Sequence, residues 1–284
     1  MSEVKEEAES GPAGNKHKSW PAWRVILTDF VIVVLGVGVA LAAQQGEEWW
    51  RWRDQVAQAR GAIATEMAQN VAGAIIRLRT QGCIERRLDE LIDIVDTASR
   101  SGQLPPVGVI GQPPLRTWRS GAWDSVVAAE TAAHFPRQHL ANLGSLYQLV
   151  VRMESTSLLN LQAWSELYPM VGPGRRLDPA SEADLRKALS LARAVNRSYA
   201  SQSLTLIERT YVLKLPFSSS DLNQIADAKS VSLMKPAVGV NPDQTSAICS
   251  PIGAVPPRYG QAQFAPTPAV SEQALKNLPD FGAP

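Results

Sequence analysis

The hydrophobic pattern of the chain begins with a run that has no polar face. Val25 to Ala43, VILTDFVIVVLGVGVALAA, holds nineteen residues of which only Thr28 and Asp29 are strongly polar. At 1.5 Å per residue a helix of that length measures about 28 Å, close to the hydrocarbon thickness of a bilayer. The run predicts a transmembrane helix. From Gln44 to about Arg100 the pattern becomes amphipathic. Trp49, Trp52, Val56, Ala59 and Ile63 step by three and four, Met67, Val71, Ile75 and Leu78 carry the face onward, and Ile84, Leu88, Leu91, Ile92 and Val95 resume it after Gly82. This is helical spacing, in one long helix or two in line with a break at Gly82.

Residues 101–116 carry four prolines and three glycines and read as a loop. Thr117 to Phe135 reads as a helix or two short ones. Another starts at Pro136 and runs to about Met170, where Gly172-Pro173-Gly174 breaks it. Asp178-Pro179 is an N-cap followed by proline at the first helical position. It opens a helix reaching about Leu213. Ser220 or Asp221 caps a shorter one ending near Ala228. Beyond Ser230 periodicity fades, apart from a turn of helix at Ser271–Lys276. The expected fold is all-α: one N-terminal transmembrane helix, a mainly antiparallel helical bundle, and a Pro-rich, largely irregular C-terminal tail. The expected domains are a disordered N-tail (1–19), an anchor (20–52), a bundle (53–229) and the tail (230–284).

Tryptophan sharpens the reading of the apolar run. Trp20 and Trp23 precede it, and Trp49, Trp50 and Trp52 follow it, five of the eight in the chain. Indole prefers the membrane–water interface, so these residues are the candidate interfacial belts against the lipid bilayer. A cleaved signal peptide is the competing reading, with Phe30–Val39 as its apolar core and Ala40-Leu41-Ala42 as its cleavage pattern. The long polar leader, Asp29 and the helical continuation favour an uncleaved anchor. Gly36-Val37-Gly38 lacks the third small residue of a dinucleotide loop, because Leu41 stands there. Gly36 with Ala40 and Gly38 with Ala42 instead place small residues at spacing four, a pattern that lets two membrane helices pack into a homo-oligomer.

Charge is balanced, 28 Lys plus Arg against 27 Asp plus Glu. That argues against a general nucleic-acid binder. Nine of 20 prolines fall from Pro236 onward, which sets the C-terminal part apart from the middle. The two cysteines, Cys83 and Cys249, cannot build a four-cysteine zinc site. They stand either as separate thiols or as one disulfide, which would need an oxidising compartment.

The residues VVLGVGVALAAQQGEEWWRWRDQVAQARGAIATEMAQN (33–70), with their Glu66–Asn70 step, CIERRLDEL at 83–91 and TWRSGAWDS at 117–125, resemble an uncharacterised family of proteobacterial single-pass membrane proteins. The resemblance covers about the first 160 residues and is most specific over the span and the helix after it. It implies an envelope location and an α-helical domain, and no activity.

Candidate chemistry is sparse. Glu130, His134 and His139 could approach a metal only if the helix ran through Pro136. Glu85, Asp89, Asp93 and Asp96 form an acidic strip that reads as a solvated helix face partly balanced by Arg86 and Arg87. Trp118 and Trp123 beside Arg116 and Arg119 read as core plus rim. No nucleophile elbow, phosphate loop, zinc helix or CxxC is present. The reading is a protein without cofactor or metal, and not an enzyme. The basic residues flanking the span tie, Lys16, Lys18 and Arg24 against Arg51, Arg53 and Arg60. The common layout of an N-terminal anchor then favours a cytoplasmic N-terminus at the bacterial inner membrane and a periplasmic C-terminal domain. The expected function is a structural or protein-interaction component of the cell envelope with a protein partner still to be identified; a ligand-binding or sensory bundle is the alternative, and a membrane-attached enzyme follows it.

Overall fold

A computed structural model describes residues 22–230, 248–252 and 277–281. The expectations for the N-tail, Trp20, Ser271–Lys276 and most of the Pro-rich segment fall outside the described residues. The chain is mostly helical and divides into two units, Met1–Arg53 and Asp54–Pro284. Helix α1 (Ala22–Arg79) begins in the first unit and supplies the first core helix of the second.

In the first unit the apolar run is exposed on every side from Asp29 to Ala43. Phe30, Ile32, Leu35 and Val39 each leave 61–69% of their surface open. A helix with no polar face needs protein or lipid around it. This one, near the N-terminus, is long and apolar enough to cross a membrane.

In the second unit α1 gives way to α2 (Gln81–Ser101) at Thr80, two residues before the expected break at Gly82. The Thr80 hydroxyl donates to the carbonyls of Ile76 (3.2 Å) and Arg77 (2.9 Å). Such back-bonding bends a helix. The ladder resumes at once, since the Ile84 N–H donates to the Thr80 carbonyl at 3.1 Å. Gly82 sits inside α2. Gly102, at φ 69°, ends α2 in the left-handed conformation that glycine adopts without strain.

Two apolar clusters form the core. The first takes Ile63, Met67 and Val71 of α1, Leu146 and Met153 of α4 (Arg137–Ser165), Leu206 and Ile207 of α5 (Pro179–Val212), and Ile225 of α6 (Ser219–Ser230). The second takes Ile84, Leu88 and Leu91 of α2, Ala163 and Trp164 of α4, and Leu185 and Leu189 of α5. Chain direction follows from this. The pair α1–α2 and helix α4 both run from the first cluster to the second, and α5 runs back. Helix α5 is therefore antiparallel to both α2 and α4, the helices it packs against most, and α4 runs parallel to α1–α2.

The segment after α2 makes α4 run that way. It pairs β1 (Gln103–Leu104) with β2 (Arg175–Arg176), then returns along α4 as extended chain. Its prolines at 105, 106, 113 and 114 remove donors and hold the backbone extended. Side chains of α4 bind the polar groups that remain: Trp164 donates to the Gly111 carbonyl, Ser157 to Arg116 (3.3 Å), and Glu154 accepts from the Trp118 N–H (3.0 Å). Helix α3 (Gly121–Ala128) and a 3₁₀ turn (Thr131–His134) then lead into α4.

Asp178 caps α5, accepting from the N–H groups of Ala180 and Ser181, both at 3.0 Å. These bonds, led by the Ser181 hydroxyl, hold its carboxyl below the ordinary Asp value of 3.8. A carboxylate with a depressed folded-state pKa stabilises above its unfolded value and loses that contribution as pH falls through its folded value. The melting temperature is expected to drop below about pH 4 by less in Asp178→Asn than in wild type, because the amide oxygen still caps and does not titrate. Thermal melts of both proteins across the acid range check this. Helix α6 is capped by Ser218, not by Ser220 or Asp221. Ser218 Oγ accepts from the Asp221 N–H (3.2 Å), and the Asp221 carboxylate accepts from the Ser218 N–H (2.9 Å), a reciprocal box that also reaches Thr65 of α1 (3.3 Å).

Candidate functional site

Four groups of side chains stand out, one in the first unit and three in the second. In the first unit Trp49 and Trp50 are exposed and Trp52 is half-buried, while Trp23 is exposed near the start of α1. Trp49 and Trp50 meet edge to face at 5.1 Å. The Arg53 guanidinium lies over both rings, 5.3 and 5.8 Å from their centres, and Arg51 lies 5.9 Å over Trp52. Gly36, Gly38, Ala40 and Ala42 are exposed, and a Cβ added at either glycine would meet nothing within 4 Å. These small residues leave the helix surface open to a close neighbour.

In the second unit Glu66 and Asn70, one turn apart on α1, grip the 117–125 segment. Asn70 pairs with the Arg119 backbone in both directions, donating to its carbonyl (2.8 Å) and accepting from its N–H (3.0 Å). Glu66 accepts from the Ala122 N–H (2.9 Å) and from the Tyr147 hydroxyl (2.8 Å). Helix α3 has no side-chain cap of its own at Ser120. Glu66 takes that role from another helix and sets a negative charge at the helix N-terminus. Burial, reinforced by the Glu66 bond, pushes the Tyr147 hydroxyl pKa up, so the phenol keeps its proton. Trp123 stacks on Tyr147 (5.2 Å), and Trp118 donates its indole N–H to Tyr199 (2.7 Å). Asn70→Ala is expected to cost about 2 kcal/mol, since Arg119 loses the partner of both its peptide groups. Urea unfolding with an unchanged slope checks this.

A buried cation lies further along α1. Arg77 is fully buried, and desolvation pulls its pKa down to about 10, which leaves it cationic at neutral pH. It donates to Gln81 (3.1 Å) and to the Asn196 side chain, and lies 4.9 Å over the Tyr199 ring. Both amides pass the contact on. Gln81 and Asn196 each donate to the same Glu85 oxygen, at 3.1 and 2.6 Å. Glu85 also lies 3.8 Å from Arg193 and 4.0 Å from Arg197. The acidic strip is a solvent-exposed face, as expected, but α5 balances it and not Arg86 and Arg87. Asp89 pairs with Arg193, and Asp96 with Arg186 at 2.7 Å, along the open rim of the α2–α5 contact. Arg86 and Arg87 face Glu90 instead.

The fourth group is a strap. Cys83 and Cys249 are joined by a disulfide with Cα atoms 4.8 Å apart. Ile248 is fully buried in the second cluster. Arg86 donates to the Cys249 carbonyl (2.8 Å), and the buried Arg87 bridges the carbonyls of Ser250 and Ile110. Desolvation lowers the Arg87 pKa, an effect that Glu90 opposes.

Glu130 adopts a left-handed backbone (φ 57°), and His139 stacks on Phe135 at 6.2 Å. They form no group of potential metal ligands among the described residues. Sequence reasoning missed the Arg77 relay, the α2–α5 ion pairs and the α3 cap. The Glu66–Asn70 spacing was the one local signal for the clamp. No protein-family model, curated protein or solved structure matches the chain.

Proposed function

We propose that the chain is a single-pass membrane protein of the bacterial cell envelope, working as a structural or protein-interaction component and not as an enzyme. The observation that carries this reading is α1: one helix holds a run apolar on every side and then, past Arg53, becomes the first core helix of a helical bundle. The bundle would be presented at the membrane by its own first helix. The Cys83–Cys249 disulfide favours an oxidising compartment, hence a periplasmic bundle and a cytoplasmic N-terminus. The resemblance to the single-pass family agrees with that layout.

Two treatments of intact cells test the reading. The chain is expected to stay with membranes through alkaline carbonate, and to shift on a non-reducing gel only after reductant. Extraction by carbonate would remove the anchor, and free thiols in the isolated protein would remove the periplasmic placement. A groove of about 410 Å³ lined by Asn142, Ser145, Glu208, Arg209, Val212 and Leu213 favours a second reading, a ligand-binding bundle. A small molecule released on denaturing the purified protein, and absent from an Arg209→Ala variant, would support it over the first.

A further inference from the structure

We infer that Trp49, Trp50 and Arg53 form a binding site for the phosphodiester of a glycerophospholipid headgroup. The inference rests on the membrane-anchor reading and names what the interfacial end of the anchor holds.

The argument starts from the angular order of Glu47–Asp54, EEWWRWRD. At about 100° per residue, Trp49, Arg53 and Trp50 fall in that order within about 100° of arc. Glu48 and Arg51 fall on the opposite side, and Asp54 and Glu47 lie about 40° and 60° beyond Trp50. The sequence thus sets a single cation between two indoles with every acid outside that arc. Asp54 turns away up the helix, accepting from Gln58 at 2.7 Å. Arg53 has no carboxylate partner among the described ion pairs; its neighbours are the two ring faces.

A guanidinium over an indole face keeps its in-plane N–H groups open. These match the paired oxygens of a phosphate, which a lysine ammonium cannot do with the same geometry. Helical side chains lean toward the N-terminus, so Arg53 leans over the tryptophans and the indoles lean over the turn below. That turn is cut away. Gly46 lies three residues before Trp49 and four before Trp50, and a Cβ built on it meets nothing within 4 Å. Ala42 and Ala43, seven residues below the two tryptophans, are exposed. Together they leave a notch beside the helix for the glycerol, with the acyl chains running down the apolar face and the phosphate against Arg53. A free inorganic phosphate would use Arg53 and leave the notch and the indoles unused.

The test uses the full chain in detergent micelles and two lipids with identical acyl chains: phosphatidylglycerol, and an uncharged glucosyl diacylglycerol. Lipid retained on the protein is read by native mass spectrometry. Wild type is expected to prefer the phospholipid by about tenfold, the scale of one charge-assisted hydrogen bond. Arg53→Gln should remove the preference, Arg53→Lys should keep part of it, and Gly46→Leu should weaken retention with every charge in place. Arg51→Gln should leave the preference unchanged. Quenching of tryptophan emission by brominated acyl chains reads insertion separately. If quenching persists while R53Q and G46L hold phosphatidylglycerol as well as wild type does, the site is overturned and the anchor stands. If bromolipids do not quench, the anchor reading fails and the site falls with it. If inorganic phosphate displaces phosphatidylglycerol at millimolar concentration, the occupant is a free anion and the lipid assignment is overturned.

Discussion

Replacing Cys249 by Ser is expected to lower the stability of the second unit by about 2–5 kcal/mol, among the largest effects of any single change in the chain. The bond closes a loop across 166 positions of sequence separation. In the chain-entropy account, a loop of that size confines the unfolded ensemble strongly. A native-state term adds to it. The bond holds Ile248 fully buried beside Leu88 and Trp164 in the second cluster, and it brings the Cys249 and Ser250 carbonyls to Arg86 and Arg87. Without the bond, keeping residues 248–252 in place would cost the order of a long tether. Letting them go would take the Ser250 carbonyl away from the buried Arg87 guanidinium. The measurement is urea unfolding of the full chain in detergent, followed by tryptophan fluorescence, to which the buried Trp164 contributes. The midpoint of C249S should match that of C83S, of the double variant and of reduced wild type. A C249S midpoint equal to that of oxidised wild type would show that the strap does not hold the fold.

What the sequence displays and what it hides follow the range of the interactions. The helices are legible because their determinants lie within a turn or two. Asp178-Pro179 announces the start of α5, whereas α4 ends at Ser165, short of the expected Met170, and a 3₁₀ turn at Tyr168–Met170 fills the way to Gly172-Pro173-Gly174. The step from Ile63 to Met67 and Val71 is the buried stripe of α1. Even locally, two bonds of similar plausibility compete. Ser218 and Ser220 can each cap α6, and the carboxylate of Asp221, three residues after Ser218, closes the box there while also accepting from Thr65. Likewise Thr80, an ordinary helical residue by composition, interrupts the helix through its hydroxyl, while Gly82, the better helix breaker by propensity, is accommodated. The functional groups depend on pairings across the chain. Asp89 and Arg193 are 104 residues apart, and Glu66 and Tyr147 are 81 apart. Their spacing in sequence carries no trace of that proximity, so the strip's solvated face was legible and its pairing with α5 was not. The direction of α4 was hidden for a similar reason. A Pro-rich stretch reads as a loop, and nothing local shows that its backbone lies packed along a helix whose side chains satisfy it.

Asn196→Leu is expected to cost about 3–5 kcal/mol, while Arg77→Met, at the other end of the same bond, costs far less. The asymmetry comes from where the charge sits. Arg77 is fully buried, and no carboxylate touches it among the described contacts. Its compensation comes through two amides whose oxygens face Arg77 and whose N–H groups face Glu85. Removing Asn196 leaves a buried guanidinium with one amide, one backbone carbonyl and a ring face, and leaves Glu85 short of a donor. Removing Arg77 and substituting a side chain of similar reach deletes the demand itself. Methionine fills the channel beside Tyr199 without a polar atom to satisfy. The two amides keep their bonds to Glu85, and the loss of the donor to their oxygens is the residual cost of R77M. The double variant R77M/N196L should therefore be more stable than N196L alone, with a coupling of about 2 kcal/mol. Equal slopes in urea would show that the native state is otherwise unchanged. The decisive comparison is between the single variants. If R77M destabilises as much as N196L, the site is held by shape and not by charge. If N196L is mild, the Tyr199 ring and Gln81 suffice for the cation, and the Asn196–Glu85 branch of the relay is idle. The expected order, N196L worst, the double variant between, R77M nearest wild type, is the signature of a buried charge whose counter-charge reaches it through hydrogen bonds.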